Sequence, residues 1–125
     1  MNGVPRGVVG ELLAAQYLRE HGYAIWSANY RCRWGEIDII AAKKPYIAFV
    51  EVKTRSEDFL YTPREAVTAA KQRRIIQTAR LYLREAATDL QPRFDVLEIV
   101  TRRHQPAAVV SIEHITNAYD AEGWT

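Results

Sequence analysis

The segment Tyr46-Ile47-Ala48-Phe49-Val50-Glu51-Val52-Lys53 constrains the fold more than any other in the chain. Up to Val50, apolar side chains stand on both alternating faces, the pattern of a central strand covered on both sides. Such a strand needs neighbours for its backbone groups and helices over both faces.

The flanking sequence supplies them. Residues 7–21 read as a helix closed by Gly22. Residues 23–30 are aromatic and apolar, a predicted strand; residues 31–35 turn the chain, and residues 36–42 form a second strand. Lys43-Lys44-Pro45 leads by a short turn into the central strand, so the three strands make an antiparallel meander. Residues 54–61 are polar and irregular, a predicted loop. Thr62-Pro63-Arg64-Glu65 has the form of a helix start, with Thr62 as N-cap and Glu65 completing a capping box. That helix is expected to run to about Thr88, followed by strands over residues 93–100 and 107–113. The order predicts an α/β domain with a mixed five-stranded sheet flanked by helices. At 125 residues, with no repeat or linker, residues 1–125 are expected to form a single domain.

Composition excludes several classes. A hydrophobic fraction of 48% and a charged fraction of 26% are ordinary for globular chains, so wholesale disorder is excluded. One cysteine, Cys32, permits neither an internal disulfide nor a four-cysteine zinc site. No stretch reaches the roughly 18 uncharged residues of a membrane span, and residues 1–10 lack the basic and apolar regions of an export signal. A reducing, cytoplasmic setting without a membrane partner is the expectation. Phosphate-binding glycine loops, a G-x-S-x-G elbow and H-E-x-x-H are all missing from the sequence. His21, His104 and His114 have no metal-ligand spacing and are expected at the surface.

Net charge is only +2, yet thirteen of the 17 basic residues are arginine, whose fork suits phosphate. Residues 66–84 carry five bases (Lys71, Arg73, Arg74, Arg80, Arg84) and no acid. This is either a solvated helix face or the electrostatic footprint of a nucleic-acid binder.

Charged residues break the apolar pattern in four places. Glu51 and Lys53 fall on the strand face of Ile47 and Phe49, where a lone buried charge would cost several kcal/mol. They are a pair emerging into water or part of a site. Glu36 and Asp38 share a face with Ile40, opposite Ile37 and Ile39. If the two strands form a hairpin, Asp38 and Glu51 lie side by side, repelling unless a cation sits between them. Carboxylates are hard ligands suited to Mg2+ or Mn2+ rather than zinc. Glu11 lies within the apolar stripe of Val8, Ala14, Ala15 and Leu18, as a carboxylate near a helix N-terminus or as a site acid. Gln72 extends the stripe of Ile75, Ile76 and Ala79, with Lys71 on its flank; the glutamine is a half-solvated helix-end residue, or one of the two reaches toward a metal–carboxylate centre or a phosphate. Such failures of local logic gather at functional sites. Asp95, between Arg93 and Leu97, reads as a structural acid paired with an arginine or an element terminus.

Asp38, twelve residues, then Glu51-Val52-Lys53, with an acid on a preceding helix, resembles the D…(D/E)-x-K site of restriction-endonuclease-like nucleases. The runs Gly35-Glu36-Ile37-Asp38, Phe49-Val50-Glu51-Val52-Lys53 and Arg93-Phe94-Asp95-Val96, together with Gly10-Glu11 and Asn29-Tyr30-Arg31, resemble the bacterial YraN family of uncharacterised proteins. That family is similar to archaeal Holliday-junction resolvases. The resemblance implies a restriction-endonuclease-like core and a nuclease acting on nucleic acid, DNA first, with branched or structured DNA as the substrate class. It implies that Asp38, Glu51 and the Val52 carbonyl hold Mg2+ or Mn2+, that Lys53 serves the attacking water, and that Glu11 binds a metal water or a second ion. Arg31, Arg33, Lys71, Arg73 and Arg74 would hold phosphates, with Glu36 and Gln72 in support. The related resolvases are dimers, so a homodimer is the matching expectation. The alternative is a nuclease-fold module that binds nucleic acid or protein without cutting.

Overall fold

Tyr46–Ser56 forms the central strand of the sheet, as its two-sided apolar pattern requires. The computed structural model describes residues 5–58 and 67–121. Within them the order is α1 (Arg6–Glu20), β1 (Ala24–Cys32), β2 (Gly35–Lys43), β3 (Tyr46–Ser56), α2 (Ala69–Ala86), β4 (Gln91–Arg102) and β5 (Gln105–Tyr119). The strands lie in one five-stranded sheet in sequence order. β1, β2 and β3 form the antiparallel meander, β4 runs parallel to β3 after the α2 crossover, and β5 returns antiparallel to β4. This is the expected mixed sheet of an α/β fold.

Each face carries one helix. Ile75, Ile76 and Ala79 of α2 pack on Ile37, Ile40, Ile47, Phe49, Phe94 and Val96. Ala14 and Leu18 of α1 pack on Ile39, Ala41, Ala48, Val50, Leu97 and Ile99. Losing one large side chain from either layer would cost about 2–5 kcal/mol. α1 lies close on the sheet because Gly10 has no side chain: a Cβ there would overlap Cγ2 of Thr54. No helix among the described residues is long and apolar enough to cross a membrane.

Several boundaries differ from expectation. β3 continues to Ser56 where a loop was predicted, because β4 offers a parallel ladder through Thr54↔Ile99 to Ser56↔Thr101. α2 begins at Ala69: Thr68 is extended (ψ 162°) and its hydroxyl accepts from the Lys71 N–H at 3.2 Å, making Thr68 the N-cap. The predicted start at Thr62–Glu65 lies outside the described residues. α2 ends at Ala86 and is capped by Ala87, which takes a left-handed conformation (φ 52°). β5 is twice its predicted length, since extra residues bulge from β5 itself along a long, half-exposed edge strand that stays paired with β4.

Asp95 is paired, as its sequence neighbours suggest. The Arg93 guanidinium grips it (2.8–3.2 Å), His114 Nε2 lies 2.8 Å away, and the Asn117 N–H donates at 3.0 Å. Burial alone would raise this carboxyl; His114, Arg93 and the Asn117 N–H outweigh it and hold it below the usual range. His114 therefore corrects an expectation: its side chain is only 9% exposed, flanked edge-on by Tyr17 and Tyr23.

Candidate functional site

The site begins where the central hairpin opens. The β2–β3 ladder runs from Lys43↔Tyr46 to Ile39↔Val50 and stops. One more step of that register would oppose Asp38 and Glu51. The strands separate there instead, and the Val52 N–H, without a ladder partner on β2, donates to Asp38 Oδ2 at 2.8 Å. In a strand the N–H and C=O of one residue point toward the same neighbour, so the Val52 carbonyl faces the same gap.

The alternation of β2 slips at this point. Ile37 and Ile40 belong to the α2-side core, Ile39 and Ala41 to the α1-side core. Ile37 and Ile39 thus do not share a face, and Asp38 does not follow Ile40, as strict alternation predicts. Asp38 opens onto the α1 side, lining a cavity of about 280 Å³ with Glu11, Leu12, Ala15, Ala28 and Asn29. The slip is matched on β1, where Ala28↔Ile39 and Tyr30↔Ile37 pair and the intervening Asn29 has φ 55°. Asparagine tolerates that left-handed conformation better than most residues.

Charges converge on the gap. Glu51 is 7% exposed and takes two ammonium groups: Lys71 Nζ from α2 at 3.0 Å and Lys53 Nζ from its own strand at 3.7 Å. Asp38 is pushed up to about 7, first by burial and then by the charge of Glu51, with a smaller push from Glu11; the Val52 N–H partly offsets them. Burial lowers Lys53, aided by the charge of Lys71 and opposed by Glu51. Burial would lower Lys71 too, but its hydrogen bond and charge attraction to Glu51 win and raise it.

The remaining residues singled out from the sequence are distributed around this centre. Glu11, half-buried on α1, faces Asp38 across the cavity. Among the described residues no group of three or more His, Cys, Asp or Glu side chains is already gathered around one point. Arg31 reaches back to Glu36 at 2.6 Å, leaving an exposed ion pair beside β2. Arg33 stacks on the exposed Trp34 ring, 4.6 Å from its centroid. Gln72 turns away from the acids and donates to the Val67 carbonyl at 3.1 Å, securing the entry to α2. Arg73 and Arg74 are exposed on α2, and Arg74 backs onto the Gly35 turn. Sequence reasoning missed the role of Asn29, for which positive-φ tolerance was the one available signal; of the two residues read as reaching toward the acidic centre or half-solvated, Lys71 reaches it and Gln72 does not.

The donor set suits a hard divalent cation. Two carboxylates and a backbone carbonyl converge, and Mg2+ characteristically takes one or two carboxylates and keeps several waters. The Asp38 carboxyl is raised first by burial and then by the charge of Glu51, so a cation entering the gap would favour its ionised form.

Fold and site together define an α/β domain with a buried acid–lysine centre at an opened hairpin. The uncharacterised protein family UPF0102 matches residues 10–99. A UPF0102 protein of Chlorobium phaeobacteroides is 45% identical over 119 residues, covering 93% of this chain and 94% of that protein. One from Syntrophotalea carbinolica is 49% identical over 116 residues (92% and 91%), and one from Lachnoclostridium phytofermentans 43% over 125 (98% and 99%). The chain belongs to the UPF0102 family, in line with the resemblance to an uncharacterised bacterial family.

Proposed function

We propose that this protein is a divalent-metal-dependent nuclease of the restriction-endonuclease-like type, hydrolysing phosphodiesters in DNA, with branched or structured DNA as its substrate class by similarity to Holliday-junction resolvases. The supporting observation is the Asp38–Glu51 pair at the opening of the hairpin, with Lys53 alongside. Asp38, Glu51 and the Val52 carbonyl would hold Mg2+ or Mn2+. When bound, the ion supplies Lewis-acid polarisation of the phosphate and a water of lowered pKa. Lys53, lowered by burial, would orient the attacking water or neutralise charge developing on the phosphate oxygens. Glu11 would accept a hydrogen bond from water in the cavity beside Asp38. Arg31, Arg33, Arg73 and Arg74 would hold flanking phosphates, fixing register without reading sequence. The protein would act in the cytoplasm, as a homodimer.

One observation favours a second reading, a module that binds without cutting: two lysines already neutralise Glu51. Labelled duplex, single-stranded and four-way-junction DNA, and RNA, incubated with Mg2+, with Mn2+ or with chelator, separate the two. Ion-dependent cleavage abolished by Asp38→Asn supports the nuclease. Binding without cleavage supports the module, and neither binding nor cleavage refutes both.

A further inference from the structure

Two lysines stand on one buried carboxylate, and they differ in kind. Lys53 leaves the same strand two residues after Glu51. Lys71 comes from a different element, is 36% exposed, and makes the shorter contact, 3.0 against 3.7 Å. It also sits in an unfavourable place: the third residue of α2 after the Thr68 cap, in a first turn with no acid, where the helix dipole disfavours a cation. Nothing in α2 holds the ammonium there; Glu51 does.

Glu51 is also a proposed metal ligand, and a divalent ion on its carboxylate would lie within a few ångströms of the Lys71 ammonium. With Glu51 and Asp38 ionised, Lys53 and Lys71 balance the two acids. Adding two positive charges without moving a lysine leaves a half-buried centre with a net charge of about +2, and releasing one lysine halves that excess. Lys53 is the more enclosed and is tied to the strand. Lys71 has a long, solvent-facing stem whose release joins it to Arg73 and Arg74 on the exposed side of α2.

We propose that Lys71 is the resident cation of Glu51 in the metal-free site, that a divalent ion displaces it, and that the released ammonium then positions the phosphate of the bound strand. Lys71 is thus a positioning residue that couples metal entry to substrate engagement. The inference rests on the metal-dependent reading above.

The chain has four lysines, Lys43, Lys44, Lys53 and Lys71, so reductive 13C-methylation gives a small NMR spectrum in which Lys71→Arg identifies the Lys71 signal. Dimethyl-lysine keeps its charge. On titration with Mg2+ in the absence of DNA, the Lys71 signal moves toward the exposed Lys43 and Lys44 signals. By calorimetry, Lys71→Met binds Mn2+ roughly tenfold more tightly than wild type, because no charge-assisted hydrogen bond is given up on binding. Thermal unfolding of Lys71→Met and Lys71→Arg confirms that both are folded. A Lys71 signal unmoved at saturating Mg2+, or Mn2+ affinity equal to or weaker than wild type in Lys71→Met, overturns the displacement while leaving the metal site standing. Absence of Mg2+ and Mn2+ binding to wild type overturns both.

Discussion

Asp38→Asn is expected to stabilise the metal-free protein at neutral pH. In the folded chain Asp38 keeps its proton up to about pH 7, because burial disfavours the carboxylate and Glu51 stands beside it. In the unfolded chain an aspartate ionises near pH 4. Between those values the folded state holds a proton that the unfolded state has released, so stability falls as pH rises from about 4 through about 7 and then levels off. About three pH units at about 1.36 kcal/mol each set a ceiling near 4 kcal/mol. Asp38 is only partly enclosed, and solvent screening discounts that ceiling to a gain of about 2–4 kcal/mol. Asparagine keeps an acceptor for the Val52 N–H and adds a donor for Glu51, so the exchange leaves no orphaned group. Thermal unfolding in chelator across pH 4 to 8.5 measures it: a gain of roughly 5–15 °C at pH 8 that shrinks toward zero at pH 4. Saturating Mn2+ narrows the gap at pH 8 by stabilising only the wild type. An Asp38→Asn variant less stable than wild type at pH 8, or a gap of the same size at pH 4 and pH 8, refutes the reasoning.

Lys53→Ala is expected to abolish ion-dependent cleavage while leaving Mn2+ bound, since lysine is no ligand for a hard cation; full activity in this variant, measured beside calorimetric Mn2+ affinity, removes the lysine from the chemistry. DNA affinity is expected to fall steeply with salt, and Arg73→Ala with Arg74→Ala to lower the slope of log K against log salt by about 1 per lost phosphate contact; a slope unaffected by both places the DNA elsewhere. Asp95→Asn leaves Arg93 and His114 enclosed without their carboxylate and is expected to cost about 3–5 kcal/mol in denaturant unfolding. Asp95 is held low, so its contribution is present above the unfolded pKa and disappears as pH falls through its folded one. A loss below about 1 kcal/mol counts against the network.

The architecture was legible because the central strand is apolar on both faces and the turns around it are short. Those two features fix the meander, and the helical segment before residue 93 makes the next strand parallel. Glu51 and Lys53 were placed on the face of Ile47 and Phe49, and the Lys71–Glu51 contact confirms that face. Strand ends were not legible, because ladder partners rather than side-chain patterns carry β3 to Ser56 and β5 to Tyr119. The Thr68 N-cap was not legible because it belongs to tertiary packing, which sets Lys71 against Glu51 and Ile75 on the sheet. His114 looked like a surface residue because its partner, Asp95, lies 19 residues away on the neighbouring strand.

The Asp38 slip could not be read from β2 alone, because its cause lies on the neighbouring strand. An unbroken hairpin would satisfy the Val52 N–H and C=O with backbone groups of β2 and set Asp38 and Glu51 as a directly opposed like-charge pair, an arrangement that destabilises a sheet. Opening the hairpin after Ile39↔Val50 exchanges backbone pairing for a carboxylate on the Val52 N–H, and frees an oxygen-lined gap between the strands. Asn29, in its left-handed conformation on β1, takes up the matching irregularity, so Ile37 and Ile40 still reach one core while Ile39 reaches the other. The gap is therefore supported from its outer side by β1, from one face by α1 through the close approach at Gly10, and from the other by Lys71 of α2. A centre held from three sides keeps two acids together despite their repulsion, which is the condition a cation-binding site has to meet before the cation arrives.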